Sequence, residues 1–222
     1  MKRIIKYFGT EEELRRKIAD AVPSLTDYKI YHSSLDNRVE LDVTEGEYFL
    51  ICDELGDGLY SEENKNIAAV LVEFLGENGL TVATAESCTG GLVASKIVGV
   101  SGASKVFYEG LVTYTNSAKE TRLNVSGDTL ERYGAVSAQT AKEMAYGLLN
   151  ENVDIAVSTT GIAGPDGGTE ETPVGLVYIG IAFQAREPIA IKCNFSGKRN
   201  EIRQCAANRA LYETYSYLFN NL

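Results

Sequence analysis

The chain has 222 residues, of which 44% are hydrophobic and 23% are charged, and its formal net charge is −10. These values are typical of a globular protein with one good-sized domain, or with one domain and a small appendage. The negative charge argues against direct contact with nucleic acid, because proteins that bind it gather Lys and Arg on one face. No window has the ~18 apolar residues of a membrane span, and the N-terminus lacks the apolar core of a signal peptide. We therefore expect a cytoplasmic protein without membrane contact.

The cysteines and the single histidine argue against metal and disulfide chemistry. The four cysteines show no paired spacing, so neither a zinc knuckle nor a disulfide framework is indicated. His32 is the only histidine, which nearly excludes histidine-based metal sites. We therefore expect no metal and no cofactor. An anionic small molecule remains compatible with the net charge, since a local nest of backbone N–H groups binds anions.

Residues 1–57 are predicted to form a small α+β unit. Thr10 caps a first helix, which runs from acidic to basic residues as the helix dipole prefers. Strands are predicted at residues 3–8, 27–31, 38–43 and 48–52. A KH-like nucleic-acid-binding module has a similar arrangement, but the Gly-x-x-Gly clamp is missing and acidic residues outnumber basic ones. We interpret the unit as a structural or assembly element that ends at a flexible break, residues 56–58.

Residues 58–222 alternate predicted strands and helices and end with a hairpin and a long helix. Strands are predicted at residues 80–85, 110–115, 154–159, 174–183 and 189–195. Helices are predicted at residues 62–77, 92–100, 116–120, 138–149 and 200–218. This order predicts an α/β fold, specifically a three-layer α/β/α sandwich with a mixed sheet, preceded by the small α+β domain.

The turn at residues 84–91, Thr-Ala-Glu-Ser-Cys-Thr-Gly-Gly, joins an apolar strand-like run to a helical pattern. The first N–H groups of a helix lack intrahelical partners, and the helix dipole adds to their positive potential. Such a turn therefore suits a phosphate or a developing oxyanion. Ser87 lies at its mouth, where a hydroxyl acts either as a nucleophile or as an ordinary helix cap.

Three strand ends of the predicted sheet carry unusual residues. These are the Ser87 turn, residues 114–119, and the glycine-rich loop that follows Thr160. Ligands in open α/β sheets gather at the carboxyl ends of strands, so we expect the three segments to converge. The loop matches neither the P-loop nor the dinucleotide fingerprint, which makes ATP and NAD weak candidates. Its backbone donors suit a flat ring or a sugar phosphate.

A nucleophilic Ser87 needs a base, and residues 58–222 contain no histidine. That absence excludes a Ser-His-Asp arrangement. A lysine kept neutral by burial, with a tyrosine hydroxyl as a proton relay, is the remaining base of suitable strength. Lys119 and Tyr114 fit this description. The alternatives are a surface lysine at a helix start and an aromatic residue at the rim of the core.

Five motifs in this order resemble the CinA carboxy-terminal domain family, which includes the PncC-type nicotinamide-nucleotide amidohydrolases. They are residues 85–91, 110–119, 134–137, 160–168 and 173–175. The resemblance covers roughly residues 62–218. Residues 1–57 resemble the small linking domain of longer CinA proteins. The molybdopterin-binding-like domain of those proteins has no counterpart in this sequence, so we expect its pyrophosphatase activity to be absent.

The resemblance implies hydrolysis of the carboxamide of nicotinamide mononucleotide to nicotinic acid mononucleotide and ammonia. It implies that Ser87 is the nucleophile and that Lys119 and Tyr114 activate it, with Lys119 taking the proton directly or through Tyr114. The N–H groups around Cys88 to Gly90 would hold the oxyanion. The partner is then a small-molecule nucleotide, and a homodimer is expected. The substrate-binding candidates are Glu86, Cys88, Thr89, Gly90, Thr160, Gly161, Ala163, Arg199 and Arg203.

Some of these assignments have alternatives. Glu86 either faces the pyridinium charge or serves the fold. Arg199 and Arg203 either contact phosphate or are solvated charges at a helix start. Lys198 stands where the family pattern has an acidic residue. Competing functions are a non-catalytic nucleotide-binding module, a competence or damage-inducible accessory protein, and a hydrolase acting on another amide.

Overall fold

The computed structural model describes residues 1–222, which divide into two compact units, Met1–Val70 and Leu71–Leu222. This division lies later than the predicted break at residues 56–58. The physical reason is that Leu59–Ser61 forms a strand that pairs with the first strand of the chain. None of the helices combines the length and the apolar character that crossing a bilayer requires.

The smaller unit is a four-stranded antiparallel sheet with two helices that pack on each other. Its strands are β1 (Lys2–Phe8), β2 (Tyr28–Ser33), β3 (Asp36–Asp42) and β4 (Leu59–Ser61), in the order β2-β3-β1-β4. Its helices are α1 (Glu11–Ala21) and α2 (Glu45–Leu55). Alternate residues of β1 and β3 face the helices, and their apolar side chains form the core with Leu14, Ile18 and Ile51.

The predicted strand at residues 48–52 is wrong, because these residues lie in α2. Thr44 starts this helix with a capping box: the N–H of Glu47 donates to Thr44 Oγ1, and the N–H of Thr44 donates to the Glu47 carboxylate at 2.8 Å. The two buried residues of α2, Ile51 and Leu55, are four positions apart, which is helical spacing. A short apolar run without its cap is ambiguous between strand and helix.

The larger unit is a mixed five-stranded sheet with helices on both faces, as predicted. Its strands are β5 (Val82–Glu86), β6 (Phe107–Val112), β7 (Ile155–Gly161), β8 (Leu176–Phe183) and β9 (Ile189–Asn194), in the order β6-β5-β7-β8-β9. Strand β5 pairs in parallel with β6 and β7, whereas β7, β8 and β9 pair in antiparallel. The helix α3 (Ile67–Asn78) begins four residues before the division, and the other helices are α4 (Leu92–Val98), α5 (Asn116–Leu123), α6 (Gly127–Tyr133), α7 (Ala138–Tyr146) and α8 (Arg199–Phe219).

Small residues let α7 lie close to the sheet. A Cβ at Gly180 of β8 would collide with the carbonyl oxygen of Ala141 in α7. Ser158 Oγ of β7 donates a hydrogen bond to that same carbonyl at 2.6 Å. This approach brings the turn before α7 to the carboxyl end of β7, where Thr160 Oγ1 donates to the carbonyl of Ala135 at 2.6 Å.

Candidate active site

A cavity of about 200 Å³ lies at the carboxyl ends of the three parallel strands β5, β6 and β7. Its lining residues are Ser87, Cys88, Tyr114, Lys119, Ala135, Val136, Thr160, Gly161, Ala163 and Arg199. The structure thus brings together the three strand ends that the sequence singled out. Of the twelve predicted catalytic and substrate-binding residues, eight line this cavity, and Glu86, Thr89, Gly90 and Arg203 do not.

The Ser87 turn is held to the neighbouring strand. Its backbone N–H donates to the carbonyl of Thr159 in β7 at 2.9 Å, so the path of β5 continues for one residue beyond the strand. Gly90 and Gly91 then reverse the chain with φ angles of 60° and 92°, which glycine adopts without strain. Ser87 is 9% exposed, so its hydroxyl is nearly buried at the cavity wall.

Lys119 of α5 contacts Ser87. Its side chain is 1% exposed, and Nζ lies 3.2 Å from Ser87 Oγ. The same nitrogen donates to the carbonyl oxygens of Thr113 at 2.9 Å and of Tyr114 at 3.5 Å. Thr115 caps α5 through a hydrogen bond from the N–H of Ala118 to Thr115 Oγ1, which fixes the helix that carries Lys119.

Burial lowers the pKa of Lys119, because the charged ammonium is poorly solvated; the neighbouring Cys88 sulfur opposes this shift. The same burial raises the pKa of the Cys88 thiol to about 12, so this residue lines the cavity as a neutral thiol. A neutral Lys119 has a lone pair at Nζ that accepts the proton of Ser87 Oγ–H. The Ser87–Lys119 contact therefore has the geometry of a nucleophile with its base.

Tyr114 lies at the mouth of the cavity. Its side chain is 59% exposed, and its hydroxyl oxygen accepts a hydrogen bond from Arg199 Nη2 at 3.1 Å. Tyr114 contacts Lys119 through its backbone carbonyl, and its hydroxyl has no hydrogen bond to Ser87 or Lys119. Of the two predicted routes for the Ser87 proton, this arrangement favours direct transfer to Lys119 over a relay through Tyr114.

Glu86 serves the fold, which corrects its assignment as a substrate contact. Its side chain is 1% exposed, and its carboxylate accepts hydrogen bonds from the N–H groups of Gly91, Val93 and Ala94 at 2.8–3.0 Å. Thr89 Oγ1 donates to it at 2.6 Å. The carboxylate thus occupies the N-terminus of α4, and it does not line the cavity.

Arg203, Thr89 and Gly90 also lie outside the cavity lining. Arg203 of α8 donates from Nε to the carbonyl of Cys88 at 3.2 Å and from Nη2 to the carbonyl of Thr89 at 2.8 Å. Thr89 Oγ1 lies between Glu86 and Thr159 Oγ1, 2.6 Å from each. Arg203 therefore binds the backbone carbonyls of the Ser87 turn, and it does not make the predicted phosphate contact.

The N–H groups of Cys88, Thr89 and Gly90 have no backbone acceptor. They are the donors that the Ser87 turn leaves available, since the N–H of Ser87 itself is bonded to Thr159. N–H groups without a backbone acceptor beside a candidate nucleophile are the usual components of an oxyanion hole. Those of Cys88 and Thr89 also interact with the Cys88 sulfur.

Arg199 is the cation at the cavity mouth. Its Nη1 donates to the carbonyl of Gly164 at 2.6 Å, and its Nη2 reaches the Tyr114 hydroxyl. The neighbouring Lys198 stands at the N-cap of α8, where its N–H donates to Glu201 Oε2 at 2.7 Å. Lys198, which stands where the family pattern has an acidic residue, is therefore part of the helix cap and does not line the cavity.

The remaining lining residues come from the β7 end and from the turn before α7. Thr160, Gly161 and Ala163 line the cavity as predicted substrate contacts. Ala135 and Val136 line it too and were not predicted, although their turn is among the motifs that carry the resemblance. The sequence signal near these two residues is the Ser137 cap of α7, whose Oγ accepts a hydrogen bond from the N–H of Thr140. A cap locates a helix start but does not show which strand end lies beside it.

No group of three or more His, Cys, Asp or Glu side chains is arranged to hold a metal ion. The fold and the cavity define a class of protein: an α/β domain with a buried Ser–Lys pair at the carboxyl ends of three parallel strands. The family model of the CinA C-terminal domain matches residues 64–218. The chain belongs to this family.

Curated relatives share the CinA designation. A putative competence-damage inducible protein of Clostridium beijerinckii is 43% identical over 216 residues, which are 90% of this chain and 52% of the relative. A CinA-like protein of Kosmotoga olearia is 50% identical over 162 residues, covering 72% of this chain and 39% of the relative. The chain spans about half the length of the curated relatives it matches.

Solved structures show the same domain. The competence/damage inducible protein CihA from Agrobacterium tumefaciens has a TM-score of 0.66 at 40% identity, covering 70% of this chain and 94% of that structure. The CinA superfamily protein ECK1530/EC0983 from Escherichia coli has a TM-score of 0.66 at 31% identity, covering 73% and 98%.

Proposed function

We propose that this chain is an amidohydrolase that converts nicotinamide mononucleotide to nicotinic acid mononucleotide and ammonia. The observation that carries the proposal is the 3.2 Å contact between Lys119 Nζ and Ser87 Oγ at the wall of the cavity. A buried lysine without a carboxylate among its hydrogen-bond partners is suited to act as a base, since burial favours its neutral form and no anionic partner holds its proton.

The first half of the reaction forms an acyl-enzyme. Ser87 Oγ attacks the carboxamide carbon while Lys119 Nζ takes the hydroxyl proton, and a tetrahedral oxyanion forms. The oxyanion then collapses, the C–N bond breaks, and Lys119 returns its proton to the departing nitrogen, which leaves as ammonia. Ser87 now carries the nicotinate group as an ester.

The second half releases the acid. A water molecule gives a proton to Lys119 and attacks the ester carbon, and the second oxyanion collapses with cleavage of the bond to Ser87 Oγ. Ser87 recovers its proton from Lys119, so the enzyme returns to its starting state. Lys119 acts as base and then as acid in each half, which requires a pKa nearer to neutrality than that of a solvated lysine.

The backbone supports the charge that develops in both halves. The N–H groups of Cys88, Thr89 and Gly90 are the candidate donors to the oxyanion. Each such donor commonly contributes ~3 kcal/mol to transition-state stabilisation. The N–H groups of Gly91, Val93 and Ala94, further along the chain, already donate to the Glu86 carboxylate. They are therefore not donors to the oxyanion.

The size and charge of the cavity support a nucleotide that binds with its ring inside the cavity and its phosphate at the mouth. A volume of about 200 Å³ is below the ~300–1,000 Å³ of pockets that enclose a whole drug-sized ligand, so it suits a single ring with its carboxamide. Arg199 at the mouth is the candidate contact for the 5′-phosphate. The negative net charge of −10 is compatible with the cationic pyridinium.

A substrate panel tests this assignment. Ammonia release is measured from nicotinamide mononucleotide, nicotinamide riboside and free nicotinamide, with wild type beside Arg199→Gln. We expect the mononucleotide to be the best substrate and Arg199→Gln to raise its KM while leaving kcat/KM for the riboside unchanged. Binding of the mononucleotide without ammonia release would contradict the amidohydrolase and favour the non-catalytic binding module. The homodimer stays a prediction, which light scattering coupled to size-exclusion chromatography checks.

A further inference from the structure

Arg203 holds the Ser87 turn through two backbone carbonyls, and it does not line the cavity. All three of its nitrogens are engaged: Nε with the carbonyl of Cys88, Nη2 with the carbonyl of Thr89, and Nη1 with Asn200 Oδ1 at 3.1 Å. Gly90 allows this approach, because a Cβ at that position would lie 3.3 Å from Arg203 Nη2. The guanidinium therefore binds two consecutive peptide groups at once.

The two carbonyls determine where two N–H groups point. A trans peptide is planar, and its N–H is directed opposite to its C=O. The carbonyl of Cys88 shares a peptide plane with the N–H of Thr89, and the carbonyl of Thr89 shares one with the N–H of Gly90. Arg203 therefore directs both N–H groups away from itself.

The Cys88 sulfur shows which side that is. Cys88 lines the cavity, and its sulfur interacts with the backbone N–H groups of Cys88 and Thr89. The N–H of Thr89 thus lies on the cavity side of the turn while its peptide carbonyl partner is held by Arg203. A charged donor on the carbonyl also polarises the peptide and strengthens the N–H as a donor.

We propose that Arg203 is a positioning residue, which aligns the N–H groups of Thr89 and Gly90 as the oxyanion hole for acyl transfer at Ser87. This inference rests on the proposed amidohydrolase function and deepens it. It replaces a role for Arg203 in binding substrate phosphate. The planar guanidinium binds both carbonyls at once through two of its N–H groups. A lysine ammonium lacks this planar arrangement of donors, so lysine does not substitute for arginine here.

The experiment uses Arg203→Ala and Arg203→Lys, with Gln204→Ala as the control for a change in the same turn of α8. Steady-state kinetics are measured with nicotinamide mononucleotide and nicotinamide riboside, and Ser87 reactivity is measured separately with a fluorophosphonate probe. We expect both arginine variants to lower kcat on the order of 100-fold for both substrates with little change in KM. Guanidinium ion added at millimolar concentration should restore part of the activity and of the labelling of Arg203→Ala.

The outcomes separate this inference from the proposed function. Amidase activity that is unchanged in both arginine variants, or a loss confined to KM for the phosphorylated substrate, overturns the positioning role and leaves the amidohydrolase standing. A wild type that releases no ammonia, but whose Ser87 labels in an Arg203-dependent manner, overturns the substrate assignment and supports the positioning role. A wild type that neither hydrolyses nor labels overturns both. An equal loss in Gln204→Ala would assign Arg203 to helix packing.

Discussion

Lys119 Nζ lies 3.2 Å from Ser87 Oγ, although 32 positions separate the two residues in the chain. The parallel pairing of β5 with β6 creates this contact, because the turn after β5 and the helix that follows β6 then meet at one edge of the sheet. This contact can provide a general base without a histidine. Burial lowers the pKa of Lys119 below that of an exposed lysine, in the direction of the lower pKa of a histidine.

The pH dependence of turnover follows from Lys119. Burial lowers its pKa, and the base must be neutral, so kcat/KM is expected to be full above that lowered pKa and to fall as the pH drops through it. The acid limb of the profile should lie below ~10.4, the pKa of an exposed lysine. Lys119→Arg should be inactive at every pH, because its guanidinium stays charged. An acid limb that persists in Lys119→Met would assign the titration to another group.

Glu86 should matter more for stability than for chemistry. Glu86→Ala leaves three N–H groups without their acceptor, and we expect the free energy of unfolding to fall by about 3 kcal/mol. Glu86→Gln keeps one acceptor oxygen and should lose less. Urea denaturation of both variants measures the effect. A fully stable Glu86→Ala with a raised KM would instead return Glu86 to the substrate.

The larger unit's layers and the identity of the Ser87 turn were predictable, because apolar runs, caps and glycines are local signals. The role of Arg203 was not predictable. The sequence predicts a solvated charge or a phosphate contact at this position, and only the packing of α8 against α4 shows that Arg203 reaches the carbonyls of Cys88 and Thr89. The helix α6 was missed because its sequence, Gly-Asp-Thr-Leu-Glu-Arg-Tyr, is short and mostly polar.

Tyr114→Phe separates a relay from a residue at the cavity mouth. Its hydroxyl contacts Arg199 and neither Ser87 nor Lys119, so we expect kcat to stay within about threefold of wild type, as for a surface group outside the proton path. A modest rise in KM is expected, because Arg199 loses a partner that orients it. Steady-state kinetics beside Arg199→Gln measure both. A loss of kcat of a hundredfold or more would show that Tyr114 moves into the proton path.

The smaller unit contains a buried ion pair that can be tested by a double-mutant cycle. Asp36 accepts hydrogen bonds from Lys6 Nζ and from the Tyr60 hydroxyl, both at 2.6 Å. Burial and the Asp36 charge raise the pKa of Tyr60, so its hydroxyl remains a donor. Asp36→Ala leaves the Lys6 ammonium buried without its counter-charge and should lower the free energy of unfolding by about 3–5 kcal/mol. Lys6→Met combined with Asp36→Ala should recover part of that loss; strictly additive effects would argue against the pairing.

The most direct test is ammonia release from nicotinamide mononucleotide by wild type and Ser87→Ala, with binding of the nucleotide followed by calorimetry. We expect wild type to release one ammonia for each nicotinic acid mononucleotide formed, and Ser87→Ala to bind the nucleotide but release none. Turnover by Ser87→Ala at the wild-type rate would remove Ser87 from the reaction. A wild type that binds the nucleotide without releasing ammonia would contradict the amidohydrolase itself.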